Sequence, residues 1–227
     1  LLMEPVLLLC LIAGTLCTAL WMGRFRQRLG ISKPAILIAA ILHTIAGVFC
    51  VKLFAGLESF QLTLSGGMSL YGAIFFLPLF YALGAKVFKR DARQVFDVMT
   101  LCVISTLLIV RVNCIVSGCC EGMLLPGSNQ LRWPTREIEM VFHGVLLVLL
   151  YRRLCRPAVP GTVYPLYMMA YGAFRFVEEW FREGDAIFLG LHPAHLWSIL
   201  SMAIGCAVYF ELVERDRRRQ ARVKTRR

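Results

Sequence analysis

Residues 34–54 read Pro34-Ala-Ile-Leu-Ile-Ala-Ala-Ile-Leu-His-Thr-Ile-Ala-Gly-Val-Phe-Cys-Val-Lys52-Leu-Phe54, an apolar run whose one charge sits two positions from its end. A helix needs about 20 mainly apolar residues to cross a bilayer core of about 30 Å, and this run meets that length. Lys52 is placed to carry its ammonium back to the interface on an apolar stem. Six more runs of the same character lie near residues 6–22, 67–88, 96–118, 138–154, 162–181 and 195–213. Apolar residues make up 58% of the 227, and mean hydropathy is +0.67. A soluble domain of this length would be nearer half apolar and would alternate its faces. The expectation is an all-α polytopic membrane protein of about seven transmembrane helices. Residues 1–227 would form one integral-membrane domain, with a basic tail at 214–227.

The net charge of +11 would suggest nucleic acid if the basic residues were scattered. They are sorted instead. Threading seven spans puts Arg24, Arg26, Arg28 and Lys33 on one side of the membrane. Lys86, Lys89, Arg90 and Arg93 join them, as do Arg152, Arg153, Arg156 and the eight basic residues of the tail. The positive-inside rule makes that side cytoplasmic, so the N-terminus is expected outside and the C-terminus inside. Glu4 precedes the first run and the basic flank follows it, which fits an N-out span better than a cleaved leader. No nucleic-acid partner is expected. The tail is expected to rest on anionic headgroups, at about 1 kcal/mol per basic residue near the surface.

Six basic residues escape this sorting: Lys52, Arg111, Arg132, Arg136, Arg175 and Arg182. An arginine at mid-helix in a membrane costs about 2.5–3.5 kcal/mol on insertion scales, so it faces an interior partner or cavity. Arg111 lies about 22 Å along the fourth span from Phe96, and Arg175 about 20 Å along the sixth from Thr162. Two guanidiniums at matched depth call for an anion between them or carboxylates beside them. On the sixth helix Tyr171, Arg175, Glu178, Glu179, Arg182 and Asp185 share an arc of roughly 120°. Such a stripe suits an anion site, with guanidinium forks on a phosphate and Glu179 holding one fork in place. A closed ion-pair network that only fixes helix packing is the competing reading.

The segment Tyr171-Gly-Ala-Phe-Arg175-Phe-Val-Glu-Glu179-Trp-Phe-Arg182-Glu-Gly-Asp185 resembles the sixth-helix motif of bacterial prolipoprotein diacylglyceryl transferases. Gly66-Gly-Met-Ser-Leu-Tyr71-Gly72 is similar to that family's G-G-M-S-x-H-G-G. Arg111-Val-Asn-Cys-Ile-Val-Ser-Gly118-Cys-Cys-Glu-Gly122 is similar to its R-x-G-N-x-x-N-x-E-x-x-G, in a form ending G-C-C-x-G. Arg132-Trp-Pro-Thr-Arg-Glu-Ile-Glu139 is similar to its R-H-P-[ST]-Q-x-Y-E. The resemblance covers about residues 5–213 and implies seven helices, N-out and C-in, in the bacterial plasma (inner) membrane.

It also implies a transferase that moves the diacylglyceryl group of phosphatidylglycerol to the lipobox cysteine thiol of a prolipoprotein signal peptide, the first step of lipoprotein maturation. By the same resemblance Arg111, Arg175 and Tyr71 would be catalytic. Arg111, Gly122, Glu179, Arg182 and Arg132 would bind substrate, with membrane lipids as further partners and with no cofactor and no metal. The family histidine is Tyr71 here, and the family asparagine is Cys114, with Asn113 one position earlier. Tyrosine is a poor base at neutral pH but still donates a hydrogen bond to phosphate. His195 and Glu179 are the candidates if a base is required.

Nine cysteines leave a rival reading open. Cys114, Cys119 and Cys120 cluster at the outer end of the fourth span. Neighbours in sequence bond to each other only under strain, so Cys114 with Cys119 or Cys120 is the natural pair. C-x4-C-C is not a zinc pattern. The function classes left standing are a diacylglyceryl transferase, a non-catalytic lipid-binding relative, and a thiol-based membrane oxidoreductase.

Overall fold

The computed structural model describes residues 5–58, 68–183 and 191–225; Gly66, Gly67 and Asp185 of the motifs above lie outside them. The described residues form eight α-helices: α1 (Pro5–Arg24), α2 (Arg26–Leu29), α3 (Lys33–Glu58), α4 (Leu70–Val87), α5 (Ala92–Ser117), α6 (Thr135–Cys155), α7 (Val163–Glu178) and α8 (Pro193–Thr225). A 3-10 turn, Glu179–Phe181, continues α7. Two isolated antiparallel bridges, Gly122 to Arg182 and Leu124 to Arg132, are the β pairing among the described residues.

Five helices (α1, α3, α4, α5 and α8) are long and apolar enough to cross a membrane. The chain is therefore a multi-pass membrane protein. The other two expected spans correspond to α6, of 21 residues, and α7, of 16. α6 carries charge at both ends, and the turn at Glu179 cuts α7 short.

The outer surface of the long helices is apolar like the core, unlike that of a water-soluble bundle. α1 turns Leu8, Leu9, Ile12, Leu16 and Leu20 outward and buries Cys10, Gly14, Thr18 and Met22. α3 likewise exposes Leu37, Ile38, Leu42 and Ile45. An apolar surface this continuous would be a large sticky patch in water. Against lipid it costs nothing, and small or hydroxylated residues let the backbones close in. α5 is the central post, buried from Asp97 to Ser105 and packed on α1, α4, α6 and α7. Trp21 Nε1 donates to Ser105 Oγ at 2.8 Å, tying α1 to it. α7 packs most extensively on α8.

Gly72 shows how tight these contacts are. A Cβ at this position would lie 2.2 Å from the carbonyl oxygen of Cys50 and 2.7 Å from Phe54 Cβ. α3 and α4 therefore meet backbone to backbone just beside Tyr71. Pro78 interrupts α4 and removes the hydrogen bond that the Ile74 carbonyl would have accepted. In an apolar interior that oxygen needs another donor, and the Tyr164 hydroxyl of α7 supplies it at 2.5 Å. Asp97 of α5 does a related task at the same, N-terminal end of α7, accepting from Gly161 N at 2.7 Å and Val163 N at 2.9 Å. These two contacts set the height of α7, and with it the height of Arg175.

Two outcomes check this account by thermal unfolding in detergent. Gly72→Ala should cost about 1–3 kcal/mol through overpacking, while Gly84→Ala, with nothing within 4 Å of the new Cβ, should be close to neutral. Tyr164→Phe should cost about 1–3 kcal/mol by stranding the Ile74 carbonyl. In a Pro78→Ala background that restores the helical hydrogen bond, most of this cost should vanish.

Candidate active site

Arg111 stands six residues before the end of α5 at Ser117, facing α6, and its Nη2 meets Glu139 Oε2 at 2.5 Å. Glu139 is fully buried one turn into α6. From the opposite side the Tyr171 hydroxyl of α7 donates to Glu139 Oε1 at 3.4 Å. One helical turn on, Arg175 spreads its fork over two carboxylates, Nη1 to Glu178 Oε2 at 2.8 Å and Nη2 to Glu179 Oε2 at 2.6 Å. Glu179 in turn meets His192 Nδ1 at 3.3 Å. Arg111 and Arg175 thus flank the buried Glu139–Tyr171 pair, from α5 and α7 respectively.

This arrangement revises the picture of two guanidiniums facing an open anion site. Both forks already hold carboxylates, as charge burial requires. They are not sealed, because the Arg111 and Arg175 side chains keep 13% and 12% of their surface exposed, while Glu139 keeps none. Glu179 takes the place expected of it against an arginine. Tyr71 is buried, with its ring 5.9 Å from that of Tyr171, and its hydroxyl shares a 2.5 Å hydrogen bond with Ser198 Oγ of α8.

Arg132, Arg182 and Gly122 lie in an outer tier between α5, α6 and the end of α7. Arg132 meets Glu183 at 2.7 Å and Glu121 at 3.4 Å, and donates to the Gly122 carbonyl at 3.1 Å. Arg136 meets Glu121 at 3.2 Å. The Arg132 pairs are a third to a half exposed, so each is worth roughly 0–1 kcal/mol. A Cβ on Gly122 would lie 2.6 Å from the Trp133 carbonyl oxygen and 2.8 Å from that of Phe181. The close approach that Gly122 permits is between three strands of its own backbone, and it pins the rim loop to the end of α7.

Cys114, Cys119 and Cys120 converge beneath this tier, all three as free thiols. They are the one group among the described residues with the ligand types and spacing to hold a metal. A hydrogen bond from Cys114 lowers the Cys120 thiol to about 4, with Arg182 and Arg111 adding to the effect and burial opposing it. His195 is buried, with its Nδ1 accepting from His192 N at 3.0 Å and its ring against Phe176 and Trp180. Those contacts fit a helix-start residue.

Three site residues escaped the sequence reading: Glu139, Ser198 and His143. Glu139 closes the fourth motif at the edge of the expected 138–154 span, and only the fold brings its carboxylate to Arg111. His143, one turn further along α6, is fully buried with Nδ1 at the Glu139 carbonyl. Ser198 had no signal, since its importance rests only on where α8 meets α4.

A sequence model of the family described as prolipoprotein diacylglyceryl transferase matches residues 8–211. A phosphatidylglycerol–prolipoprotein diacylglyceryl transferase of Paracidovorax citrulli is 33% identical over 139 residues, which is 56% of this chain and 51% of that protein. The protein of the same name from Verminephrobacter eiseniae is 32% identical over 166 residues, 66% of this chain and 59% of its own length. That from Bordetella avium is 37% identical over 106 residues, 44% and 40%. The chain spans about half the length of the curated relatives it matches. The family match runs from α1 into α8 and takes in every helix that carries the paired arginines and their carboxylates, so the chain belongs to the prolipoprotein diacylglyceryl transferase family.

Proposed function

We propose that the protein transfers the diacylglyceryl group of phosphatidylglycerol to a prolipoprotein lipobox cysteine at the outer face of the bacterial plasma membrane. The observation that carries this reading is the pair of guanidiniums on α5 and α7, flanking Glu139 among apolar helices and still partly exposed. A lipid phosphate is an anion that sits at the depth such residues occupy. One of the carboxylates would yield its arginine to the phosphate as the lipid arrives, with Arg111 and Arg175 then stabilising the charge that develops on the leaving group. The thiol sulfur forms a bond to the glycerol carbon as that carbon's bond to the phosphate oxygen breaks. Glycerol phosphate departs and takes up the thiol proton, leaving a thioether.

Tyr71 would assist by hydrogen bonding after exchanging Ser198 for a phosphate oxygen. Glu179 would orient Arg175, and Arg132, Arg182 and Gly122 would shape the outer rim. An apolar cleft of about 410 Å³ starts at Phe75, one turn along α4 from Tyr71, and continues past Pro78, Phe96 and Met168 to Leu212. It would take an acyl chain. This reading includes seven spans in one domain, with α6 and α7 crossing beside the five longer helices, N-terminus outside and basic tail in the cytoplasm. A second reading, a lipid-binding relative without transfer activity, draws support from the closed ion pairs and from Tyr71 standing where the family histidine would be.

Expression in a bacterium depleted of its own transferase separates the two readings by lipidation of a model prolipoprotein. Wild type should lipidate, and Arg111→Ala and Arg175→Ala should each lower the rate by about 10²-fold or more. A wild-type protein that reaches the membrane and lipidates nothing would leave only the binding role. Glu139→Ala should lose stability as well as activity, by about 3–5 kcal/mol, because it strands the Arg111 charge. For topology, alkaline phosphatase inserted at Gly127 should be active and fused after Arg218 inactive; the opposite pattern would reverse the orientation.

A further inference from the structure

The chain leaves α5 through two left-handed residues, Gly118 at φ +66° and Cys120 at φ +60°. Glycine takes that conformation freely, but a cysteine there is uncommon and must be held. The holding contacts are present. Thr135 Oγ1 donates to the Cys120 carbonyl at 3.1 Å, and Arg136 Nη1 donates to the Cys114 carbonyl at 3.2 Å. The result folds the Gly118-Cys119-Cys120 turn back over the helix end, and the Sγ atoms of Cys114, Cys119 and Cys120 all lie within 4.8 Å of one another.

We propose that these three thiols form a binding site for a soft monovalent metal ion of the copper(I) class. A disulfide joins two sulfurs and has no use for a third, whereas here three lie within 4.8 Å of one another. With metal–sulfur bonds of about 2.3 Å, a trigonal centre sets its sulfurs about 4 Å apart, so a small contraction of the observed triangle suffices. Thiolates select copper(I) and zinc among common ions. Structural zinc takes four ligands, and no histidine or carboxylate joins the three sulfurs in the cluster among the described residues.

Charge favours the same ion. Three thiolates and one monovalent cation carry two net negative charges, and guanidiniums surround them. Arg111 Nη1 donates to Cys114 Sγ at 3.8 Å, Arg182 stands against Cys120, and Arg136 holds the Cys114 backbone. Binding forms three metal–sulfur bonds and releases to solvent whatever protons the thiols hold; no electron is transferred. The ion would clamp the loop that carries Glu121 and Gly122 to the end of α5, within one turn of Arg111.

The test is titration of the purified full-length chain, kept reduced, with copper(I) against a chromogenic copper(I) chelator. One ion per chain should be held against the chelator, with a thiolate-to-metal absorption band. Cys155→Ser and Cys206→Ser should keep both features. Cys114→Ser, Cys119→Ser or Cys120→Ser should each weaken binding by about 10²-fold or more, since even outer partners of a ligand contribute 10–100-fold. The wild-type band guards against variants that fail to fold. Undiminished copper in the triple Cys→Ser protein, no band in wild type, or zinc held as tightly as copper(I) would overturn the proposal.

Discussion

No charge inside a membrane can stand alone, and the pairing of Arg111 with Glu139 is the clearest expression of that constraint in this protein. The pair fixes α5 against α6, and Tyr171 brings α7 to the same carboxylate. Arg175 then finds its own carboxylates on α7, so three helices are referenced to one buried anionic oxygen pair. Removing such a pair altogether and refilling the space with apolar groups is often harmless to stability. On the function proposed above, the charges serve a further task, the holding of a lipid phosphate. The same pairs that make the resting protein tolerable in lipid would, on that proposal, release a guanidinium to the phosphate.

The rest of the bundle serves to hold that geometry. Its outer surface is rich in leucine and isoleucine, and inside it small residues such as Thr18, Gly72, Cys102 and Ser105 pack beside buried aliphatic and aromatic side chains such as Phe54, Leu101 and Tyr167. α3 and α4 touch at Gly72, immediately next to Tyr71, and α4 and α8 touch through the Tyr71–Ser198 hydrogen bond. A site at the meeting point of α4, α5, α6, α7 and α8 tolerates little error in any of them. Lipid between the helices would compete poorly with backbones packed this closely.

Much of this was legible in the residues. Long unbroken apolar runs such as 34–54 have no other stable destination than a bilayer, and charges inside such runs mark the interior. Arg111 and Arg175 announced themselves for that reason, and the periodicity of α7 put Glu179 on the same face. Glu139 was harder to see, because it stands near a span edge, where a carboxylate is affordable without a partner; only the fold turns it inward. Ser198 and Tyr164 were invisible, since each matters through one contact with a residue about a hundred positions away. The convergence of the three cysteines depends on a left-handed Cys120, a conformation that local sequence does not demand. The expectation of a simple Cys114 pairing missed it.

The Tyr164 hydroxyl reaches a carbonyl that was synthesised 90 residues earlier. During biosynthesis α4 would arrive in the membrane with its proline gap at Ile74 open, and the donor that fills it would not yet exist. The early helices would therefore remain an incomplete substrate for assembly until α7 docks, with the exposed oxygen seeking water or a makeshift donor meanwhile. Quality control could read that gap. A chain truncated before residue 164 would keep it permanently, whereas a finished chain closes it in the same event that brings Arg175 to its depth.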